Sequence, residues 1–187
     1  MFQCLKSSSA QFDAWLNLKW IDERLTWDPS KFNDISETKI PIQLLWRPDL
    51  YNYIDASTGR LDSKADVEVT VHSNGRMQVI IPKKLKAICN FTWSAPENEN
   101  RASFTGAMCH SKIGSWTRNG VELNLASDTI DLSSYTENTC YSLEDSTVLR
   151  NEHRYECCPY SYIDVQFKFV IKPRTMLPST AANICFG

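Results

Sequence analysis

Short runs of alternating apolar and polar residues, each closed by a turn signal, constrain this 187-residue chain more than any other feature. Val67, Val69 and Val71 alternate with polar partners, Ser73-Asn74-Gly75 offers a turn, and Met77 to Ile81 returns to end at Pro82. That pattern predicts a hairpin closed by an Asn-Gly turn, since these residues tolerate the positive φ that tight hairpin turns need. Ala14 to Trp20 alternates as well, with Trp15 in antiphase to Leu16, Leu18 and Trp20. Val121 to Leu125 and Val165 to Phe169 repeat the pattern, and Pro173 closes the second of them. Side chains on a strand alternate between two faces, so each run has one face to bury. No long helical period, internal repeat or linker interrupts the series. The fold class implied is all-β, an antiparallel β-sandwich of immunoglobulin-like architecture, in a single domain over 1–187. Ser94 to Thr105, rich in Glu and Asn, reads as a long polar loop, and 175–187 as a flexible tail.

Composition narrows the function. The formal net charge is −2, which gives nucleic acid or an anionic membrane surface nothing to attract. No apolar run approaches the roughly 20 residues that cross a bilayer as a helix. The start, Met1-Phe2-Gln3-Cys4-Leu5-Lys6, is not a signal peptide. Seven cysteines (Cys4, Cys89, Cys109, Cys140, Cys157, Cys158 and Cys185) point to an oxidising, extracellular compartment. Their odd number leaves at least one without an intrachain partner. Asn90-Phe91-Thr92 is an N-glycosylation sequon at Asn90.

Catalytic patterns are weak. His72, His110 and His153 are scattered without metal-ligand spacing, and no nucleophile elbow or phosphate-binding loop appears. The chain reads as no enzyme, with no metal and no cofactor. Cys157-Cys158 stands out instead, within Tyr155-Glu156-Cys157-Cys158-Pro159-Tyr160-Ser161-Tyr162. Neighbouring Cα atoms lie about 3.8 Å apart, closer than ordinary disulfides prefer. Two readings are open: a stiff disulfide knuckle at the tip of a ligand-closing loop, or two thiols that stay reduced or pair elsewhere. Several aromatics lie beside turns, among them Trp116, Tyr53, Tyr155 and Tyr162. Brought together, such rings hold a cation, quaternary ammonium above all, against their electron-rich faces.

Four motifs taken in order carry a resemblance. They are Trp20-Ile21-Asp22-Glu23-Arg24-Leu25-Thr26-Trp27, Leu45-Trp46-Arg47-Pro48-Asp49, Ile113-Gly114-Ser115-Trp116 and Tyr155-Glu156-Cys157-Cys158-Pro159, with Cys89 and Cys109 framing a loop. From about Ala14 to Arg174 the chain resembles an acetylcholine-binding protein, the soluble relative of the extracellular ligand-binding domain of Cys-loop, nicotinic-type receptors. The resemblance implies Cys89–Cys109 and Cys157–Cys158 disulfides. It also implies a homopentamer with ligand sites between subunits. The principal face would hold Tyr53, Trp116, Tyr155, Tyr162 and the Cys157–Cys158 tip. The complementary face would hold Trp20, Thr70, Gln78 and Ile80, and the Trp116 carbonyl would accept a hydrogen bond from a protonated amine.

Against the family pattern, an N-terminal helix and first strand are expected to be missing, because residues 1–13 form only a short segment before the Trp20 region. The segment between Cys89 and Cys109 is longer than the family's and lacks its Phe-Pro-Phe-like centre. Cys4, Cys140 and Cys185 match no family cysteine. The function expected is a soluble, secreted binding protein for acetylcholine-like cations and nicotinic agonists, with no transmembrane segment and no nucleic acid partner. The alternatives are an extracellular structural or assembly protein that keeps the fold but not the use of the aromatic box, or a fragment of a receptor extracellular domain.

Overall fold

The computed structural model describes residues 3–5, 8–55, 60–61, 67–94 and 103–174, with backbone alone at 3–5, 94 and 103. Among the described residues nine strands follow one another: β1 (Gln3–Leu5), β2 (Ser9–Thr26), β3 (Glu37–Pro41), β4 (Leu50–Asn52), β5 (Glu68–His72), β6 (Asn74–Ser94), β7 (Ser103–Ser115), β8 (Tyr141–Arg154) and β9 (Ser161–Pro173). Two 3-10 turns, Pro29–Lys31 and Ile42–Leu44, are the only helical segments among the described residues. The strand order is β1-β2-β6-β7-β9-β8, with β5 and then β3 paired off the start of β6, and β4 paired on β7. Every pairing is antiparallel. The all-β antiparallel sandwich expected from the alternation is what forms.

Alternation places the core. On β6, Met77, Val79, Ile81, Leu85, Ala87 and Cys89 all point inward and are buried. Val69 and Val71 of β5 and Ile42 join the first three, with Leu16, Leu18 and Trp20 of β2 packed against them. The other end of the core gathers Ala10, Phe12, Leu50, Ala107, Cys109, Ile113, Phe169 and Ile171 from four strands. Phe12 meets Phe169 edge to face at 4.9 Å between ring centroids. Each fully buried Val, Ile or Met here contributes about 1.5–3 kcal/mol from its removal from water. That contribution holds the strands that carry the functional side chains.

The Asn-Gly hairpin forms as expected, with Val71 opposite Met77 and Thr70 opposite Gln78. Gly75 has φ +79°, and a Cβ there would lie 2.7 Å from the Asp22 carbonyl. β6 does not end at Pro82, however. It runs on, with Pro82 opposite Trp15. β5 pairs with β6 only as far as Gln78 and β7 joins it only from Ile88, so one edge of β6 at Pro82 has no strand neighbour among the described residues. The missing N–H is tolerated at such an edge. The Val121 to Leu125 strand is also corrected. The Asn119 carboxamide accepts from the backbone N–H of Val121 and Glu122, and the Glu122 carboxylate accepts from Asn119 N. This turn competes with strand geometry. Arg150 donates to the Leu125 carbonyl, and Leu123 and Leu125 pack on the core without a ladder.

Both expected disulfides are present. Cys89 and Cys109 lie directly opposite each other in the β6–β7 ladder, 4.0 Å apart at Cα, and Cys157 is bonded to Cys158. The polar loop is shorter than its sequence suggests. β6 and β7 continue as a paired hairpin past the disulfide as far as Ser94 and Ser103, and 95–102 lie outside the described residues. Cys140 is itself disulfide-bonded. The side chains of Cys4 and Cys185, and the tail 175–187, lie outside the described residues.

Candidate ligand site

Two aromatic groups converge where β4, β7 and the β8–β9 hairpin end. Tyr53 follows β4 and sends its hydroxyl to the Ser115 carbonyl at 2.6 Å. Its ring lies over Gly114, where a Cβ would collide with the phenol, so the Gly114-Ser115-Trp116 sequence gives Tyr53 its seat. Trp116 stands at the end of β7, 68% exposed, 6.2 Å from Tyr53 and 5.6 Å from Tyr51 between centroids. Asp49 fixes the local backbone. Its carboxylate accepts from Ser115 Oγ (2.7 Å), Thr117 N (2.9 Å) and Thr117 Oγ1 (2.7 Å). Burial opposes charge on Asp49, but the hydrogen bonds from Ser115 and Thr117 outweigh it and hold the carboxyl below the usual carboxylate range. The second group is Tyr155 and Tyr162, 5.7 Å apart, at the root of the tip that carries Cys157–Cys158. Tyr155 is 53% exposed.

Beneath these rings lies Asp164 of β9, only 2% exposed. Its Oδ1 accepts from Asn151 Nδ2 at 2.8 Å. Its Oδ2 lies 2.9 Å from Lys112 Nζ and 2.6 Å from His153 Nε2. Lys112 in turn sits 5.9 Å from the Tyr53 ring centroid, and His153 stacks on Tyr155 at 6.4 Å. The cluster ties β7, β9 and β8 together under the rings. Burial first, then the charge of Asp164, Tyr155 and Asp49, pushes the Tyr53 phenol up to about 12. Tyr53 therefore stays a neutral hydrogen-bond donor across the physiological range.

A separate face lies on β2, β5 and β6. Odd-numbered residues of β2 point outward from Asp13 to Ile21, and even-numbered ones point inward. Ile80, half exposed, stands opposite Asn17 in the register. Gln78 stands opposite Lys19 and Thr70, and donates to Asn17 Oδ1 at 3.1 Å. Thr70, Gln78 and Ile80 thus share one face, as expected. Trp20 does not share it. Its ring packs on the Ile42, Val69 and Val71 cluster, and its Nε1 is buried with no hydrogen-bond partner among the described residues. The aromatic on the outward face is Trp15, 71% exposed and opposite Pro82, in the next register position to the Asn17–Ile80 pair. The antiphase of Trp15 with Leu16, Leu18 and Trp20 was the sequence signal for this.

The sequence profile described as the neurotransmitter-gated ion-channel ligand binding domain matches residues 5–175. This chain belongs to that family. The acetylcholine receptor subunit alpha-type acr-16 of Caenorhabditis elegans is 33% identical over 177 residues, covering 91% of this chain and 33% of the receptor subunit. The subunit alpha-type acr-15 of the same organism is 28% identical over 175 residues, covering 91% of this chain and 34% of its own length. The human neuronal acetylcholine receptor subunit alpha-2 is 28% identical over 171 residues, covering 89% of this chain and 31% of its own length. The chain spans about a third of the length of these curated relatives.

As a nicotinic-type ligand-binding domain, the chain brings four of its expected principal-face residues into two touching pairs, Tyr53 with Trp116 and Tyr155 with Tyr162. Sequence reasoning missed Tyr51, Lys112, His153 and Asp164. Tyr51 was legible, because it alternates with Tyr53 around the buried Asn52. The Lys112–Asp164–His153 cluster was not, because its members meet only through the β7–β9–β8 register. No helix among the described residues is long and apolar enough to cross a membrane.

Proposed function

We propose that this ligand-binding domain holds small cationic, acetylcholine-like ligands in an aromatic box shared between subunits of a homopentamer. One subunit supplies Tyr53, Trp116, Tyr155, Tyr162 and the Cys157–Cys158 tip. Its neighbour supplies Trp15, in place of Trp20, with Thr70, Gln78 and Ile80. The observation that carries the reading is the exposure of Trp116 and Tyr155 beside Tyr53 and Tyr162, over a carboxylate already paired with Lys112 and hydrogen-bonded by His153. Such rings attract a cation without a buried counter-charge, and quaternary ammonium suits them best. The names of the relatives, acetylcholine receptor subunits, support the same ligand class.

The protein works outside the cell as a secreted protein, with Asn90 glycosylated. Its disulfides suit an oxidising compartment, and Asn90 is exposed on the outer face opposite Met108. The length of the relatives favours a second reading, the extracellular part of a longer receptor subunit, which uses the same site. Calorimetric titration with tetramethylammonium tests the ligand. Trp116→Ala is expected to weaken binding by about 2 kcal/mol, the scale of a desolvated cation–π contact. Unchanged affinity in that variant would remove the site.

A further inference from the structure

We propose that His153 is a positioning residue whose protonation controls how tightly the aromatic site holds a cation, acting through the Tyr155 ring and the shared Asp164 carboxylate. The proposal rests on the cation-binding reading above and gives it a proton dependence.

The geometry fixes where the protons sit. At 2.6 Å from Asp164 Oδ2, His153 Nε2 carries a hydrogen and donates it. Lys112 Nζ lies 3.3 Å from the same nitrogen and bonds the same carboxylate oxygen at 2.9 Å. A second proton on the imidazole therefore enters at Nδ1 and leaves the Nε2–Asp164 bond in place. The arrangement survives and only its charge changes. With neutral His153, one carboxylate faces one ammonium. With imidazolium, one carboxylate faces two cations, and one of these is stacked on a ring of the site.

That ring is Tyr155, whose centroid lies 6.4 Å from the imidazole at an interplanar angle of 27°. An imidazolium there is a positive charge beside a ring of the site, and it repels a ligand cation held on that ring by like charge. The groups facing His153 come from three elements. Lys112 comes from β7, and Asp164 and the cross-strand Tyr162 come from β9. Tyr155 follows on its own chain segment. Its strand neighbours Arg150 and Glu152 pair with each other at 3.8 Å, and Arg154 stands next in sequence. Tyr53 lies against Lys112 and is held neutral. Among side chains, histidine is the one whose ordinary chemistry places a charge change between pH 5 and 8. The other histidine near a proposed ligand face, His72 of β5, lies 3.5 Å from Glu37 and serves as the control.

The test uses the assembled protein and tetramethylammonium, a probe that does not itself titrate. Its Kd is measured by calorimetry from pH 8 to pH 5.5 for the native protein, His153→Gln and His72→Gln. The expected result is a weakening on the order of tenfold toward low pH. It should be kept in His72→Gln and abolished in His153→Gln, whatever that variant's affinity at pH 8. A second readout needs no ligand: the Tyr155 ring resonances should shift with pH by NMR in the native protein and stay fixed in His153→Gln. Binding with the same pH slope in native protein and His153→Gln overturns the proposal, as does a slope lost in His72→Gln instead. Absence of tetramethylammonium binding at every pH removes the cation-binding reading. A Tyr155 signal indifferent to pH overturns the His153 proposal whether or not ligand binds.

Discussion

Trp15 and Trp20 are five residues apart on one strand, and the account assigns them opposite duties. Trp20→Ala removes an aromatic ring packed on Ile42, Val69 and Val71. A buried aromatic hides at least about 150 Å², which at ~25 cal/mol per Å² is about 4 kcal/mol. The buried, unpartnered Nε1 works the other way, since an unsatisfied polar group costs about 1–3 kcal/mol that the substitution relieves. The net expected loss is about 1–3 kcal/mol of stability. Trp15→Ala removes a ring that is 71% exposed in the subunit, so subunit stability should change by no more than ~0.5 kcal/mol. Ligand affinity should fall instead by about 1–2 kcal/mol, as a cation–π partner is lost. Urea unfolding and tetramethylammonium calorimetry on both variants separate the two. If Trp20→Ala keeps full stability and loses ligand, while Trp15→Ala binds normally, the facing of β2 is wrong.

Three further outcomes follow from the structure. Cys157→Ser/Cys158→Ser should leave the melting temperature near that of the native protein, because a bond between neighbours closes no loop of the unfolded chain. Affinity should fall, because the freed tip must be ordered on binding. Opening Cys89–Cys109, a separation of 20 residues, should instead cost about 3 kcal/mol, or roughly 6–12 °C in Tm. Scanning calorimetry with a binding assay distinguishes these. Asp49 has a depressed folded pKa, so its contribution to stability is present above the ordinary aspartate value of about 3.9 and is lost as pH falls through the lower folded value. Trp116 fluorescence during acid titration should report that loss below about pH 4, and Asp49→Asn should remove that part of the transition.

The strands were legible where alternation was clean, as at Val67 to Ile81 and Val165 to Phe169, because a two-residue period leaves one face to bury. It misled at Val121 to Leu125, where the Asn119 side chain accepts from Val121 and Glu122 and turns the start of the segment away from a ladder. Pro82 looked like a strand end because sequence does not reveal which edge lacks a neighbour. Motifs and turn contexts singled out Tyr53, Trp116, Tyr155 and Tyr162, which the fold brings into two neighbouring pairs. Trp15 was hidden behind Trp20, since both are tryptophans and only the phase of β2 separates outward from inward. The Asp164 cluster was out of reach, because Lys112, His153 and Asp164 are distant in sequence and meet through strand register alone.

The central claim is that half the ligand site lies on each subunit face. It is tested most directly by measuring mass and stoichiometry together, with light scattering on the eluting protein followed by calorimetric titration with tetramethylammonium. The account predicts a particle five times the mass of the 21.4 kDa chain, binding one ligand per subunit, with binding lost on dissociation. A monomer that binds the ligand with undiminished affinity would contradict it.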